Sequence, residues 1–181
     1  LIAWLIYPLI KTVHELAHGL AVRRYGGEVH QVGVSLLLLT PAPFVDASAA
    51  SAFRHASQRL AVSAAGIVTE LAIAGVALIV WALVEPGLVR DVSLVAVVIG
   101  GVSTVLFNGN PLLRFDAYYM LCDAFDLPNL ATRSTAFWRY LLLGRLLGLA
   151  DVPSPEPGRG ERPWLLLYAP ASWLYRVVLS V

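Results

Sequence analysis

The chain has 181 residues, 58 % of them hydrophobic and 14 % charged, with a formal net charge of +1. Soluble domains are typically about 45–50 % apolar and about 25 % charged, so this composition points toward a membrane protein. The near-zero net charge, with no basic run, gives no sign of nucleic-acid binding, and the single cysteine, Cys122, excludes an internal disulfide and a cysteine-based zinc site.

Both ends fall in apolar runs, Leu1-Ile2-Ala3-Trp4 and Val177-Val178-Leu179-Ser180-Val181. No charged stretch precedes the first run, so no signal peptide is visible. The 181 residues read as a single membrane-embedded core, cut at both ends from a longer protein.

Residues 1–24 read as one helix, with Pro8 as a kink and Gly26-Gly27 as the stop after Arg23 and Arg24. Residues 28–47 are rich in strand-formers, and Gly33, Pro41 and Pro43 exclude a long helix, so a short re-entrant or interfacial β-hairpin is expected. Residues 48–59 are small and polar. Leu60 to Leu83 is long enough to cross a bilayer, which takes about 20 residues. Glu85-Pro86-Gly87 is a turn, Ser93 to Phe107 a further apolar helix, and Asn108-Gly109-Asn110-Pro111 its interruption. Ala131 to Leu149, punctuated by Arg133, Arg139 and Arg145, suits an interfacial helix or a snorkelling span. Asp151 to Pro163 reads as a solvent loop, and Trp164 onward as another membrane segment. The expected fold class is an all-α membrane protein: a polytopic transmembrane helical bundle with a short hairpin after its first helix.

Topology follows from charge. Arg23, Arg24, Arg54 and Arg59 place the end of the first helix and the start of the second on the cytoplasmic side, and Arg114 brings the third helix back there.

The chemistry is concentrated in His14-Glu15-Leu16-Ala17-His18, an H-E-x-x-H run. On a helix the two histidines lie one turn apart on one face, where they can grip one zinc ion, while Glu15 can act as base toward a zinc-bound water. Three ionisable residues on one turn of an apolar helix are expensive and mark function. His18 lies five residues before Arg23, about 7 Å from the cytoplasmic end at ~1.5 Å per residue. A catalytic zinc needs a third protein ligand. Asp116, after the helix break and at similar depth, is favoured. Glu70, in mid-membrane, is either the alternative ligand or a carboxylate that orients a zinc-bound histidine. Lys11 is expected to snorkel or pair with Glu15, Asp46 to serve a turn or cap, and His30 and His55 to lie at the interface.

H-E-x-x-H in the first helix, followed by Asn108-x-x-Pro111-x-x-x-x-Asp116, resembles the site-2 protease family of intramembrane zinc metalloproteases, whose second motif is N-x-x-P-x-x-x-x-D-G. The run Phe107 to Asp116 with Tyr118-Tyr119, and the later Trp164 to Tyr175 segment, are similar to its peptide zinc metalloprotease branch. The resemblance implies that His14, His18 and Asp116 hold Zn2+, that Glu15 is the catalytic base, and that Asn108 helps near the substrate carbonyl. It implies an intramembrane metalloendopeptidase acting on membrane-embedded or membrane-associated peptides, in a multi-pass cell-membrane protein whose active site lies near the cytoplasmic side. Its partners would be a peptide or membrane-protein substrate, the lipid bilayer and flanking domains or exporter subunits. The family has glycine where this chain has Ala117. The alternative is a catalytically weak or inactive zinc-binding module in a peptide processing or export assembly. A second rival is a metal transporter.

Overall fold

The computed structural model describes residues 1–37, 40–148, 153, 157–158 and 160–181. The chain is mostly helical, with one two-stranded antiparallel sheet. Helix α1 spans Ile2–Arg24 with Pro8 inside it, and Gly26 follows at φ +81°. Strands β1 (Val32–Leu37) and β2 (Thr40–Val45) form the expected hairpin, paired Val32 to Val45 through Leu37 to Thr40. A 3-10 turn, Ser48–Ala52, leads into α2, Ala56–Leu83. Helix α3, Leu88–Asn108, is α-helical to Val97 and π-helical from Val98. Helix α4 (Asp116–Ala124), α5 (Leu130–Arg139, continued by a π turn Tyr140–Leu146) and α6 (Arg162–Ser180) complete the chain.

Several boundaries differ from the sequence reading. Helix α2 begins four residues before Leu60, so Arg59 lies in its first turn, and α3 begins at Leu88, not Ser93. Part of the expected 151–163 loop lies outside the described residues, and α6 already includes Arg162 and Pro163. Two helices, α2 and α3, are long and apolar enough to cross a membrane. Helices α1 and α6, expected to cross as well, do not meet that measure; α1 carries Lys11, Glu15, Arg23 and Arg24.

Helices α2 and α3 leave much apolar surface exposed. Only 17 % of the most apolar window of α2 is buried, and 22 % of that of α3. Their buried residues form narrow stripes, Val62, Gly66, Glu70, Ala74 and Ala77 on α2 and Ser93, Gly100, Thr104 and Asn108 on α3. Small and polar residues thus face the neighbouring helices, while Val68, Val76, Ile79, Val102 and Val105 face outward. Small residues permit close helix approach: a Cβ on Gly100 would come within 2.9 Å of the Glu70 carbonyl oxygen. A second cluster, around Tyr118, Leu127, Leu130, Phe137, Leu165 and Tyr168, joins α4, α5 and α6. Burying side chains such as Leu130 and Leu165, each 1 % exposed, is worth about 1.5–3 kcal/mol apiece against water.

The hairpin packs on α1 through β2. The Val45 N–H points away from β1 and donates to Glu15 Oε2 at 3.1 Å. Because backbone groups alternate along a strand, Pro41 and Pro43 also turn their backbones to that outer edge, where the missing proline N–H breaks no ladder bond.

Candidate metal centre

His14 and His18 are one turn apart on the buried face of α1 and reach the gap between α1, α2 and the start of α4. Their Nε2 atoms lie 3.1 Å apart. Asp116, the first residue of α4, brings one carboxylate oxygen to 3.1 Å from His14 Nε2 and the other to 3.5 Å from His18 Nε2. The structure therefore unites the three residues named from sequence as ligands, although 98 positions separate His18 from Asp116.

Proton placement decides what this cluster can hold. His18 Nδ1 lies 2.7 Å from the Val62 carbonyl oxygen, which can only accept, so its proton sits there. His14 Nδ1 lies 3.1 Å from Glu70 Oε1, off the axis of a straight hydrogen bond but against a carboxylate that again can only accept. Both Nε2 atoms then present lone pairs to each other and to the carboxylate. Asp116 Oδ2 is buried without a hydrogen-bond donor. With both rings neutral, three electron-pair donors converge on one point and could hold a cation. Their 3.1–3.5 Å spacing matches the edge, about 3.3 Å, of a tetrahedron with bonds of ~2.0–2.1 Å, the length of zinc–nitrogen and zinc–oxygen bonds.

Glu70 is fully buried and is saturated by its neighbours. Oε1 meets Lys11 Nζ at 2.5 Å and His14 Nδ1 at 3.1 Å, while Oε2 accepts from Thr104 Oγ1 and, at 3.3 Å, from Asn108 Nδ2. With four groups on its two oxygens it has no lone pair left for an ion, and it acts on the cluster by orienting His14. Lys11 therefore pairs with Glu70 and not with Glu15, its neighbour one turn away. Asn108, expected near a substrate carbonyl, gives its amide to Glu70 and also lines the cavity beside His14. Thr104 and Asn108 both sit in the π-helical part of α3, and such widened turns occur mostly at functional sites.

Glu15, half-buried, is held by the Val45 N–H at the end of β2. It and Asp116 line two cavities, one on either side of the cluster. The larger, about 610 Å3, has polar walls that include Ser48, Ser51, Arg59 and Asp123. The smaller, about 430 Å3, runs between Tyr7, Lys11, Pro43, Phe107 and Phe115.

The loop that carries Asp116 is fixed from α6. Tyr168 Oη donates to Pro111 O at 3.2 Å, Ser172 Oγ to Leu112 O at 2.7 Å and Tyr175 Oη to Leu106 O at 2.7 Å. These hydroxyls satisfy carbonyls that the broken helix leaves without partners. Ala117 follows Asp116 inside α4 and is not among the residues with positive φ, so its backbone does not need the freedom of glycine.

The sequence reading did not pick out Gly66. A Cβ there would fall 2.3 Å from His14 Cε1 and 2.5 Å from the Nε2 atom of each histidine. Its bare backbone is the floor of the cluster, and the signal was present: a glycine one turn before an acid in an otherwise apolar helix. Asp46, expected in turn or cap duty, accepts from Ser48 N–H at 3.0 Å, and the Ser48 hydroxyl, with that N–H, holds its carboxyl below the usual aspartate range.

No known protein family, curated protein or solved structure matches this chain.

Proposed function

We propose that the chain is an intramembrane zinc metalloendopeptidase of the site-2 protease type, cleaving peptides that lie in or on the membrane. The observation that carries this reading is the convergence of His14, His18 and Asp116 beside Glu15, between two cavities. Polar, buried stripes on two outwardly apolar helices support a multi-pass arrangement in lipid. The arginines at positions 23, 24, 54, 59 and 114 support a site near the cytoplasmic side.

His14, His18 and Asp116 would hold the zinc, and Glu70 and the Val62 carbonyl fix the two rings. When bound, zinc supplies a Lewis acid that polarises a carbonyl and acidifies a water. Glu15 takes the proton of the attacking water and returns it to the leaving amine, a role for which the Val45 N–H holds its carboxylate in place. The substrate must be extended, because a helix keeps its carbonyls in its own hydrogen bonds. The outer edge of β2 lies beside Glu15 and offers such a chain a partner. Asn108 serves a substrate carbonyl only by leaving Glu70.

The test uses the full chain in nanodiscs and a fluorogenic peptide built around one apolar membrane segment. Glu15→Gln should keep one zinc per chain and cut about 10²–10⁴-fold more slowly. Cleavage by this variant at the parent rate overturns the assignment. Absence of cleavage by the parent itself, with zinc bound, favours the non-hydrolytic module instead.

A further inference from the structure

A third cavity, about 530 Å3, lies away from the metal cluster, between the loop preceding α4, α5 and α6. Its lining includes Arg114, Thr135, Tyr168, Ser172, Trp173 and Arg176, and shares no residue with the two cavities at the cluster. Its hydroxyls are already spent. Thr135 donates to Ala131 O, Tyr168 to Pro111 O and Ser172 to Leu112 O. The donors left for a guest belong to the two guanidiniums. Arg176 Nη2 gives one N–H to Ser172 Oγ at 3.1 Å, and Arg114 Nη2 makes one long 3.5 Å contact with Thr132. A guanidinium carries five N–H donors, so most remain open.

The charge balance is one-sided. Lys11, Arg59 and Arg133 each hold an acid, Glu70, Asp123 and Glu161. Arg114 and Arg176, like several other arginines, pair with no acid among the described residues; what sets them apart is that they line one cavity together, and no carboxylate lines it. Two guanidiniums lining one cavity offer an anion two sets of open donors. A forked guanidinium fits phosphate oxygens in particular. Trp173, which also lines the cavity, is 67 % exposed, and Leu174, next in sequence, is 57 % exposed. An exposed indole beside exposed guanidiniums suits the headgroup level of a bilayer.

We propose that this cavity is a binding site for the phosphate of an anionic phospholipid, held by Arg114 and Arg176 with its glycerol backbone against Trp173. The proposal stands apart from the zinc reading, since none of its residues is a ligand or the base.

Native mass spectrometry of the full chain, released from nanodiscs of phosphatidylglycerol or of phosphatidylcholine, tests it. The parent should retain phosphatidylglycerol in at least tenfold preference to phosphatidylcholine. Arg114→Gln with Arg176→Gln should abolish that preference, and Arg139→Gln on α5 should not. Both arginines are exposed, so their removal leaves the fold intact, and an unchanged melting temperature checks this. Arg114→Lys with Arg176→Lys should retain part of the preference, because charge remains and the fork is lost. Unchanged lipid retention in the double glutamine variant overturns the proposal. So does displacement of the lipid by millimolar inorganic phosphate, which would make the cavity a site for free phosphate.

Discussion

Gly66→Ala separates the proposed metal centre from ordinary helix packing. The added Cβ would sit 2.3–2.5 Å from both imidazoles, where ordinary contact begins at 3.4 Å, so the rings must retreat by about 1 Å. Metal–ligand distances tolerate only about ±0.2 Å. Changes that merely loosen groups behind the ligands cost about 10–100-fold in metal affinity, so pushing two ligands off position together should cost more than about 100-fold. Helix α2 itself has no reason to suffer, since glycine to alanine in a helix interior is worth roughly 0.5–1 kcal/mol in favour of alanine. Gly75 on the same helix is the matched control, with nothing within 4 Å of its Cβ position. Zinc dissociation constants are measured by competition with a chromophoric chelator, and helix content by far-ultraviolet circular dichroism. Gly66→Ala should lose zinc with unchanged helicity, and Gly75→Ala should keep both. Equal zinc affinities in the two variants would refute the placement of both rings over Gly66.

The ligand set predicts that Asp116→Ala binds no measurable zinc, while Glu70→Gln binds it about 10–100-fold more weakly; the reverse order in a metal analysis would exchange their roles. The hydroxyls of α6 predict that Tyr168→Phe and Ser172→Ala each cost about 0.5–1.5 kcal/mol and speed hydrogen exchange across residues 109–115; unaltered exchange there would show that the loop holds itself. Arg133 pairs with Glu161 and, with the Gly158 N–H, holds its carboxyl below the ordinary glutamate range. Glu161 then contributes stability that is full above its unfolded pKa of about 4.3 and is lost as pH falls through its lower folded value. A double-mutant cycle of Arg133→Ala and Glu161→Gln in detergent should give roughly 0.2–1 kcal/mol at pH 7 and nothing in strong acid; coupling that persists in acid would contradict this.

What the sequence made legible was whatever rests on local spacing. The two histidines are four residues apart, which on any helix means one face. The hairpin was legible because Pro41, Pro43 and Gly33 forbid the alternative. Asp116 was reachable because the arginines suggest a common end for the first and third helices, and the motif around Asn108 agreed. Long-range choices were not legible. Lys11 has an acid four residues away and selects one 59 residues away, because Glu15 is held by the Val45 N–H while Glu70 comes to Lys11 from α2. Gly66 matters through the approach of α1 to α2, which leaves no local trace. Hydropathy placed the start of α2 at Leu60, but helical hydrogen bonding does not require apolar residues and begins in the polar turn at Ala56. The π turns of α3 escape a reading by composition, since valine, glycine and threonine are compatible with either winding.

The prolines of β2 have a consequence for how this protein meets others. An unpaired strand border normally invites a copy of itself, by trading amide for carbonyl along its length. Here Pro41 and Pro43 have no amide to trade, and that of Val45 is taken by Glu15. Two such borders brought together would set oxygen against oxygen. A visitor that brings its own amides meets no such obstacle, so the border refuses its twin and admits a guest.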